Sequence, residues 1–360
     1  GLDAGGAYQY MSQWSGIRDY NGNPMLYNGV VPMVSQHAVN QDYQWQENKK
    51  IDIDLSMGFL KDRITLTLGW YNDRCNNQLT TLPTAAFTGF SSVLGNSPAN
   101  VENTGWEGSI NANLVKSKDF SWSMNFNIAI NKNKLVDYPN FQFSPYYLTK
   151  KIGQSLNTNY VLHYLGINPQ NGRRSYEDYN HDGIITQSGS VPPGTVNDDR
   201  YVAIDITPKY SGGLSNQFAY KGIMLNLFFV FKKQIGALPY TTAAGSMGNI
   251  PTYLMDNRWQ KPGDQATNPR LTTLSTTSDF QFAASDGAYG DNSFIRLSSL
   301  ALGYSLPEST CKKLRTQGIT LSVNASNLFF ITRYKGIDPE IAFGSLPQPR
   351  VIAGRISFNF

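Results

Sequence analysis

The stretch Phe120–Ile130, FSWSMNFNIAI, carries an apolar side chain at every second position. Serine, asparagine and alanine fill the positions in between. Neighbouring side chains of a β-strand point to opposite faces, so a period of two predicts a strand with one apolar and one polar face. No helix would place these residues on a single face, because a helix repeats every 3.6 residues.

The same alternation recurs along the chain and predicts about ten strands. Further segments that show it are Ile51–Phe59, Ile64–Trp70, Trp106–Leu114, Tyr210–Phe218, Ile223–Phe231, Leu300–Tyr304, Ile319–Ala325 and Ile352–Phe360. Helix is expected only as a turn or two near Glu308–Arg315. The pattern therefore predicts an all-β protein.

The connections between these segments fall into two classes. Short turns are expected at Leu60–Arg63, Lys116–Asp119 and Tyr220–Gly222, and long polar connections at Asn72–Asn103, Lys132–Thr207, Lys232–Ser293 and Asn327–Arg350. Short turns at one rim and long loops at the other are typical of an antiparallel outer-membrane β-barrel. Tryptophans near strand ends (Trp45, Trp70, Trp106 and Trp122) fit the aromatic girdles of such barrels. A soluble β-sandwich is the alternative, although its loops are mostly short.

The composition agrees with a β-barrel and argues against a nucleic-acid-binding protein and a helical membrane protein. Apolar residues make up 40% of the chain and charged residues only 16%. The net charge of +4 is spread without a basic block, so no nucleic-acid partner is expected. No apolar run reaches the roughly 18 residues that a membrane-spanning helix needs, whereas a membrane-spanning strand needs only about 9–11. We expect Cys75 and Cys311 to remain unpaired.

No hydrolytic constellation is recognisable, and we expect no enzymatic activity. His37, His163 and His181 are far apart in sequence and lack zinc-binding spacing. The neighbouring carboxylates Asp198 and Asp199 are expected to be solvated loop charges rather than a glycosidase pair.

One stretch, Tyr176–Thr186 (YEDYNHDGIIT), has the beginning of a calcium-loop pattern. Asp178, Asn180 and Asp182 alternate before a glycine, and Ile184 would offer its carbonyl oxygen, so Ca²⁺ or Mg²⁺ is a possible ligand. The twelfth position is glycine where a bidentate glutamate would be expected. The alternative is a metal-free cluster of Asx turns, and no cofactor is required.

Aromatic residues are concentrated in one long connection, Tyr138–Tyr147 (YPNFQFSPYY). Tyr138, Phe141, Tyr146 and Tyr147 are candidates for substrate contact, because aromatic faces stack on sugars and grip peptide side chains. The alternative is that these rings pack the long loops together.

The final segment Arg350–Phe360, RVIAGRISFNF, alternates up to its terminal phenylalanine. It resembles the C-terminal targeting strand of outer-membrane proteins, and Phe358 and Phe360 are the candidate targeting residues.

Three stretches narrow the resemblance to SusC/RagA-like TonB-dependent transporters. Phe294–Pro307 (FIRLSSLALGYSLP) is similar to the family's strand before a periplasmic turn, and Asn103–Glu107 (NTGWE) is similar to the opening of another strand. Asn324–Glu340 (NASNLFFITRYKGIDPE) resembles the family signature through Asn327, Leu328, Thr332, Tyr334, Gly336, Asp338, Pro339 and Glu340.

The resemblance implies a 22-stranded barrel plugged by an N-terminal domain, of which residues 1–360 would be the C-terminal portion. The plug, the TonB box and the first strands would then lie elsewhere, and Gly1–Tyr10 shows no start signal. It further implies active import of an oligosaccharide or oligopeptide as a multi-pass outer-membrane protein in contact with lipid. Implied partners are a SusD-like lipoprotein lid, TonB, and the rest of the same barrel and plug.

Two other functions stay open. A receptor for iron chelates or a cobalamin-like cofactor would share the barrel, but the Asn327–Glu340 region favours the SusC-like branch. A surface adhesin or lectin would bind without transporting.

Overall fold

The computed structural model describes residues 11–40, 44–241, 245, 250–341 and 345–360. Strands dominate it, and in chain order they are β1 Trp14–Gly16, β2 Met33–Ser35, β3 Glu47–Phe59, β4 Ile64–Asn76, β5 Gln78–Pro83, β6 Ser92–Ser97, β7 Asn100–Lys116, β8 Phe120–Asp137, β9 Thr158–Val161, β10 Tyr164–Ile167, β11 Arg174–Tyr176, β12 Val202–Asp205, β13 Tyr210–Tyr220, β14 Ile223–Lys233, β15 Ile235–Ala237, β16 Tyr289–Asp291, β17 Phe294–Ser305, β18 Gly318–Thr332 and β19 Val351–Asn359.

Helical structure is short throughout the described residues. The α-helices are α1 Thr277–Gln281 and α2 Glu308–Lys313, and single 3₁₀ turns are formed by Ala86–Thr88, Phe141–Phe143, Thr252–Leu254, Phe282–Ala284 and Asp286–Ala288. None of these helices is long and apolar enough to cross a membrane. The predicted helical turn after Glu308 is confirmed as α2, whereas α1 had no recognisable pattern.

By their contacts, the described residues form two compact units. The first holds the chain up to Ile51 together with Asn72–Asn103 and Asn133–Leu156, and the second holds Asp52–Tyr71, Thr104–Lys132 and Asn157–Phe360. Small hairpins β1–β2 and β5–β6 belong to the first unit, and the pairs β9–β12, β10–β11 and β15–β16 belong to the second.

One large antiparallel sheet organises the chain. Within the described residues it has nine strands in the order β19-β18-β17-β14-β13-β8-β7-β4-β3, so most neighbours in the sheet are also consecutive long strands. Every alternating segment predicted from the sequence is a strand of this sheet. Several strands continue beyond the alternating segments. Strand β17 begins at Phe294, as the resemblance of Phe294–Pro307 to a family strand implies, although alternation predicts only Leu300–Tyr304.

The register separates apolar and polar side chains onto opposite faces, as the alternation predicted. Across β8 and β13, Phe126 lies opposite Leu214 and Trp122 opposite Phe218, while Asn125 lies opposite Ser215. Rings stack between strands on the apolar face, with centroids 5.5 Å apart for Trp122 and Phe218. These stacked rings continue the apolar surface from one strand to the next.

The apolar face is exposed. The side chains of Ile331, Ile352 and Ile356 have exposed fractions of 66%, 65% and 61%. A surface of this kind has no role in a water-soluble monomer but suits contact with lipid, where transmembrane strands place an outward apolar band.

The short turns require unusual backbone conformations. Leu60, Lys61 and Asp62 have φ angles of 55°, 57° and 58°, which form a left-handed turn between β3 and β4. Between β13 and β14, Gly222 has a φ of 87°, and a Cβ atom there would lie 2.8 Å from the carbonyl oxygen of Ser305. Glycine is therefore required at this turn both by its dihedral angles and by the neighbouring turn.

A β-bulge interrupts the pairing of β17 with its neighbours. The register passes from Ser299 opposite Ser326 to Leu297 opposite Phe329, so two residues of β18 face one of β17. Asn327, one of the two, has a φ of 52°. Asparagine tolerates this left-handed conformation better than most residues, which explains the first residue of the Asn327–Glu340 signature.

Candidate functional site

Many uncharged groups on the polar face of the sheet hydrogen-bond to one another. The hydroxyls of Ser56 on β3 and Thr67 on β4 lie 3.1 Å apart, and Asn125 donates to the Asn111 side chain from β8 to β7. Tyr71 donates to the Asn131 side chain over 3.0 Å. Amides and hydroxyls on such a face can exchange hydrogen bonds with water or a polar solute, because each group both donates and accepts.

The strand motif at residues 103–107 is explained by close packing. A Cβ atom at Gly105 would lie 2.5 Å from the ring of Tyr71, so the glycine makes room for the tyrosine that reaches Asn131. Asn133 donates to the Asn103 side chain over 2.7 Å, while Trp106 is 60% exposed on the apolar face.

The signature residues Asp338 and Glu340 form an ionic cluster with the sheet. Arg296 on β17 donates to the Asp338 carboxylate over 2.6 Å, and both side chains are almost fully buried. Glu340 lies 3.3 Å from Arg296 and 3.3 Å from Lys232 on β14. The acidic residues of the signature therefore fix the chain that follows β18 to two strands of the sheet, and their role here is structural.

Other signature residues shape the same connection. The Thr332 hydroxyl donates to the carbonyl oxygen of Ser293 over 2.7 Å and accepts the backbone N–H of Tyr334. A Cβ atom at Gly336 would lie 2.3 Å from the Tyr334 ring. Pro339 offers its carbonyl oxygen to Gln234.

The long connections of the second unit pack into a core of their own. Leu162, after β9, is fully buried and exchanges backbone hydrogen bonds with Ala284 and Asp286 over 2.9 Å each. The rings of Tyr164 and Phe282 pack edge to face, with centroids 5.1 Å apart. These connections are therefore ordered structure with buried contacts between segments distant in sequence.

Asp198 and Asp199 lie at the centre of this region with no exposed surface, so the prediction that they are solvated is wrong. Asp198 forms a bidentate pair with Arg200. Asp199 accepts the backbone N–H groups of Tyr179, Asn180 and Thr186, at distances down to 2.7 Å. These hydrogen bonds compensate the burial of both charges.

The calcium-like loop Tyr176–Thr186 is closed by its own hydrogen bonds. Asp178 accepts the backbone N–H groups of Asp182 and Gly183, and Asp182 accepts that of Ile184 over 2.8 Å. The Asn180 side chain donates to Asp182. His181 and Gly183 have φ angles of 60° and 85°.

The fit of this loop to a cation is partial. Asp178, Asn180 and Asp182 are in one turn, but their oxygens already accept N–H donors from it. No cluster of three or more histidine, cysteine or acidic side chains suited to a metal occurs in the described residues. A Ca²⁺ or Mg²⁺ site that also uses Asn180 and the Ile184 carbonyl stays a prediction.

A second polar contact links the same loops. His163 lies 2.7 Å from the Asp286 carboxylate, whose other oxygen accepts the backbone N–H of Tyr164. The Tyr201 hydroxyl donates to Glu177, and this hydrogen bond raises the pKa of Tyr201 to about 12.

Arg174 on β11 is a buried cation, 7% exposed, that no sequence pattern singles out. Its guanidinium lies over the Phe282 ring, 3.9 Å from the centroid, and donates to the carbonyl oxygen of Thr241 over 2.8 Å. Burial lowers the pKa of Arg174, opposed chiefly by the nearby Tyr176 and Tyr164. No ion pair compensates this charge within the described residues.

The candidate aromatic residues of the first unit contact one another. The Tyr138 ring lies 5.5 Å from that of Phe141 and 6.3 Å from that of Tyr146, and Phe141 packs edge to face on Tyr147 at 5.6 Å. Tyr138 is buried, whereas Tyr147 keeps 37% of its surface. The geometry supports mutual packing, and substrate contact by these rings stays a prediction.

The two candidate targeting residues lie at the end of the chain on the apolar face. Phe358 and Phe360 are 55% and 81% exposed, and their rings stack with centroids 6.3 Å apart. Their role in targeting stays a prediction. Cys75 and Cys311 are both free thiols, and Cys311 is buried in α2.

Known proteins share this sequence pattern and this fold. No family model matches the chain. It is similar to TonB-dependent receptor P3 of Formosa agariphila, with 29% identity over 98% of this chain, and to TonB-dependent receptor SusC of Bacteroides thetaiotaomicron, with 26% identity over 88%. The structure of the RagAB peptide transporter superposes on 99% of this chain with a TM-score of 0.75 and 22% identity.

The chain is therefore similar, over nearly its whole length, to part of SusC- and RagA-like outer-membrane β-barrels. It spans 38% of the length of the P3 relative, 32% of SusC and 39% of the superposed RagAB chain. The predicted fold class, an antiparallel barrel wall with long loops, and the predicted outer-membrane location are confirmed.

Proposed function

We propose that this SusC/RagA-like segment is part of a TonB-dependent transporter that imports an oligomeric nutrient, glycan or peptide, across the outer membrane. The observation that carries the proposal is the fold likeness to a peptide transporter, which covers 99% of the chain at a TM-score of 0.75. Sequence similarity to two TonB-dependent receptors supports the same class of protein.

The chain would supply barrel wall and external loops rather than a reaction centre. An oligomer passing along the polar face would exchange hydrogen bonds with serine, threonine, asparagine and tyrosine side chains such as Thr67, Tyr71 and Asn125. A face without a continuous row of charges holds a neutral polar solute only weakly, which favours passage over retention. No bond of the substrate changes, and we propose no enzymatic activity.

In the same proposal, energy and capture come from elsewhere. The plug and the TonB box belong to the rest of the polypeptide, and TonB couples them to the proton gradient of the inner membrane. A SusD-like lipoprotein covers the long external loops and captures the substrate. The ordered loop core around Leu162 and Ser285, both fully buried, would give such a lid a fixed surface.

Uptake by living cells tests the proposal. Cells that produce the whole outer-membrane protein would receive a fluorescent oligopeptide or a fluorescent oligosaccharide, with and without a protonophore. We expect gradient-dependent accumulation of one of the two, and none in cells that lack the protein. Surface binding without energised uptake would favour an adhesin or lectin, and energised uptake of a ferric chelate alone would favour an iron receptor.

A further inference from the structure

A polar cavity of about 470 Å³ lies in the second unit, between β11 and the segment that contains α1. The described residues that line it include two arginines, Arg173 and Arg174, and no acidic side chain. Amides and hydroxyls supply most of the remaining lining, among them Asn171, Ser278 and Gln281. Its charge and its donors therefore favour an anionic ligand.

Arg174 leaves one edge of its guanidinium without a partner. Nη1 donates to the carbonyl oxygens of Thr241 and Asp279, over 2.8 and 3.3 Å. Nη2 has no hydrogen-bond partner among the described residues, and Nε has neither a partner nor accessible surface. The N–H groups of Nη2 can therefore donate charge-assisted hydrogen bonds to a carboxylate oxygen.

Nearby acids form no ion pair with this charge among the described residues. The Asp279 carboxylate accepts both the backbone N–H and the hydroxyl of Thr276, at 2.8 and 2.9 Å. The Asp182 carboxylate accepts hydrogen bonds from Ile184 and Asn180. A charged donor without an acceptor is costly where water is scarce, and a ligand carboxylate would supply an acceptor to Nη2.

We propose that this cavity binds a carboxylate of an oligopeptide, with Nη2 of the buried Arg174 as the donor and Arg173 as the exposed cation at its side. The inference rests on the proposed function, since the peptide would be cargo captured by the external loops. A peptide is favoured over an acidic glycan because no aromatic ring is among the described lining residues, and sugars stack on such rings. The amides and hydroxyls match the donors and acceptors of a peptide backbone.

Binding to the purified whole outer-membrane protein in detergent tests this site. The probes are N-acetylated penta-alanine with a free C-terminal carboxylate and the same peptide as its C-terminal amide, measured by isothermal titration calorimetry. We expect the carboxylate form to bind about tenfold or more tightly, as hydrogen bonds between charged groups suggest. Arg173→Ala and Arg174→Lys should each reduce this preference several-fold.

Lys261→Ala, an exposed cation outside the cavity lining, is the matched control and should keep the preference. Arg174→Lys retains the charge but removes the guanidinium N–H donors, and its thermal unfolding is measured in parallel because Arg174 packs on Phe282. Arg173→Ala removes an exposed side chain and tests the site without that risk.

Equal binding of the two peptides, or a preference that survives both arginine substitutions, would overturn the site. Absence of binding by either peptide would do the same. Arginine-dependent binding of oligogalacturonate without binding of the peptides would also overturn it, and would assign the cavity to acidic glycans. The uptake experiment is read separately: energised peptide uptake without a carboxylate preference leaves the transporter standing and removes only this site.

Discussion

The sheet and the loop core of this chain differ in what they expose and what they bury. On the sheet, Ile331 and Ile352 are 66% and 65% exposed, whereas in the loops Asp198 and Asp199 are fully buried. A water-soluble protein would reverse this distribution. Two solvents therefore act on one chain: lipid contacts the outer face of the sheet, and water surrounds the loops, which fold around polar groups with satisfied hydrogen bonds.

The loop core should respond most strongly to loss of a buried acceptor. In Asp199→Ala, three partly buried backbone N–H groups would lose their acceptor, at a cost of about 3 kcal/mol, roughly 1 for each. Amide hydrogen exchange at Tyr179, Asn180 and Thr186 measures the loss of local protection.

The matched control for this change is Asp256→Ala, which alters an exposed carboxylate of the same unit. If exchange at the three amides were as slow in Asp199→Ala as in Asp256→Ala, the loop core would not depend on its buried charges.

A charge introduced into the sheet should lower the free energy of unfolding much more on the apolar face than on the polar face. Phe126→Arg and Leu66→Arg place a cation on the apolar face and should cost about 2–4 kcal/mol if these positions face the middle of the bilayer. Ser123→Arg places the same side chain on the polar face of β8 and should cost much less. Unfolding by urea in lipid vesicles compares them, and equal costs would show that the assignment of faces is wrong.

The end of the wall should affect assembly more than stability. Phe360→Asp removes an exposed ring that stacks on Phe358, so we expect a several-fold lower amount of folded protein in the outer membrane. Immunoblots of outer-membrane fractions measure it, with Asn359→Asp as the neighbouring control. Unchanged amounts would argue against a targeting role for Phe360.

The smallest effect is expected at the calcium-like loop. Its own hydrogen bonds already close the turn, so any cation would bind weakly, with a Kd of about 10⁻⁴–10⁻³ M as in extracellular modules. Asp182→Ala should abolish the heat of Ca²⁺ binding in a calorimetric titration, and Asp264→Ala should not. An anomalous-scattering map of the unsubstituted protein with no ion in this loop would refute the site.

These two regions were predictable to different degrees. Each strand of the sheet can be predicted from its own residues, because alternation within about ten residues reflects which solvent each face contacts. Alternation identifies strand β17 only from Leu300, since it changes phase at Ser298 and Ser299, and the part from Phe294 is found only through the resemblance. The loop core has no such local signature. Leu162 meets Ala284 and Asp286 across more than a hundred residues, and Arg174 meets Thr241 across 67.

The candidate functional sites likewise differ in how far they could be predicted from the sequence. The Asn327–Glu340 signature could be found by resemblance, but its partner Arg296 could not, because their contact joins a loop to a strand 42 residues away. The burial of Asp198 and Asp199 could not be predicted for a related reason. A charged side chain is expected to be exposed unless the backbone N–H groups that donate to it are known.

The bulge in β17 has a consequence for the arginine beside it. After the bulge in chain order, even-numbered residues such as Leu300 and Leu302 belong to the apolar face. Before the bulge, the odd-numbered residues Ile295 and Leu297 belong to it. Without this one-residue change of parity, Arg296 would project into hydrocarbon. The bulge instead places Arg296 on the polar face, where it forms a salt bridge with Asp338. One extra residue in the strand therefore decides whether this cation is buried in a salt bridge or exposed to lipid.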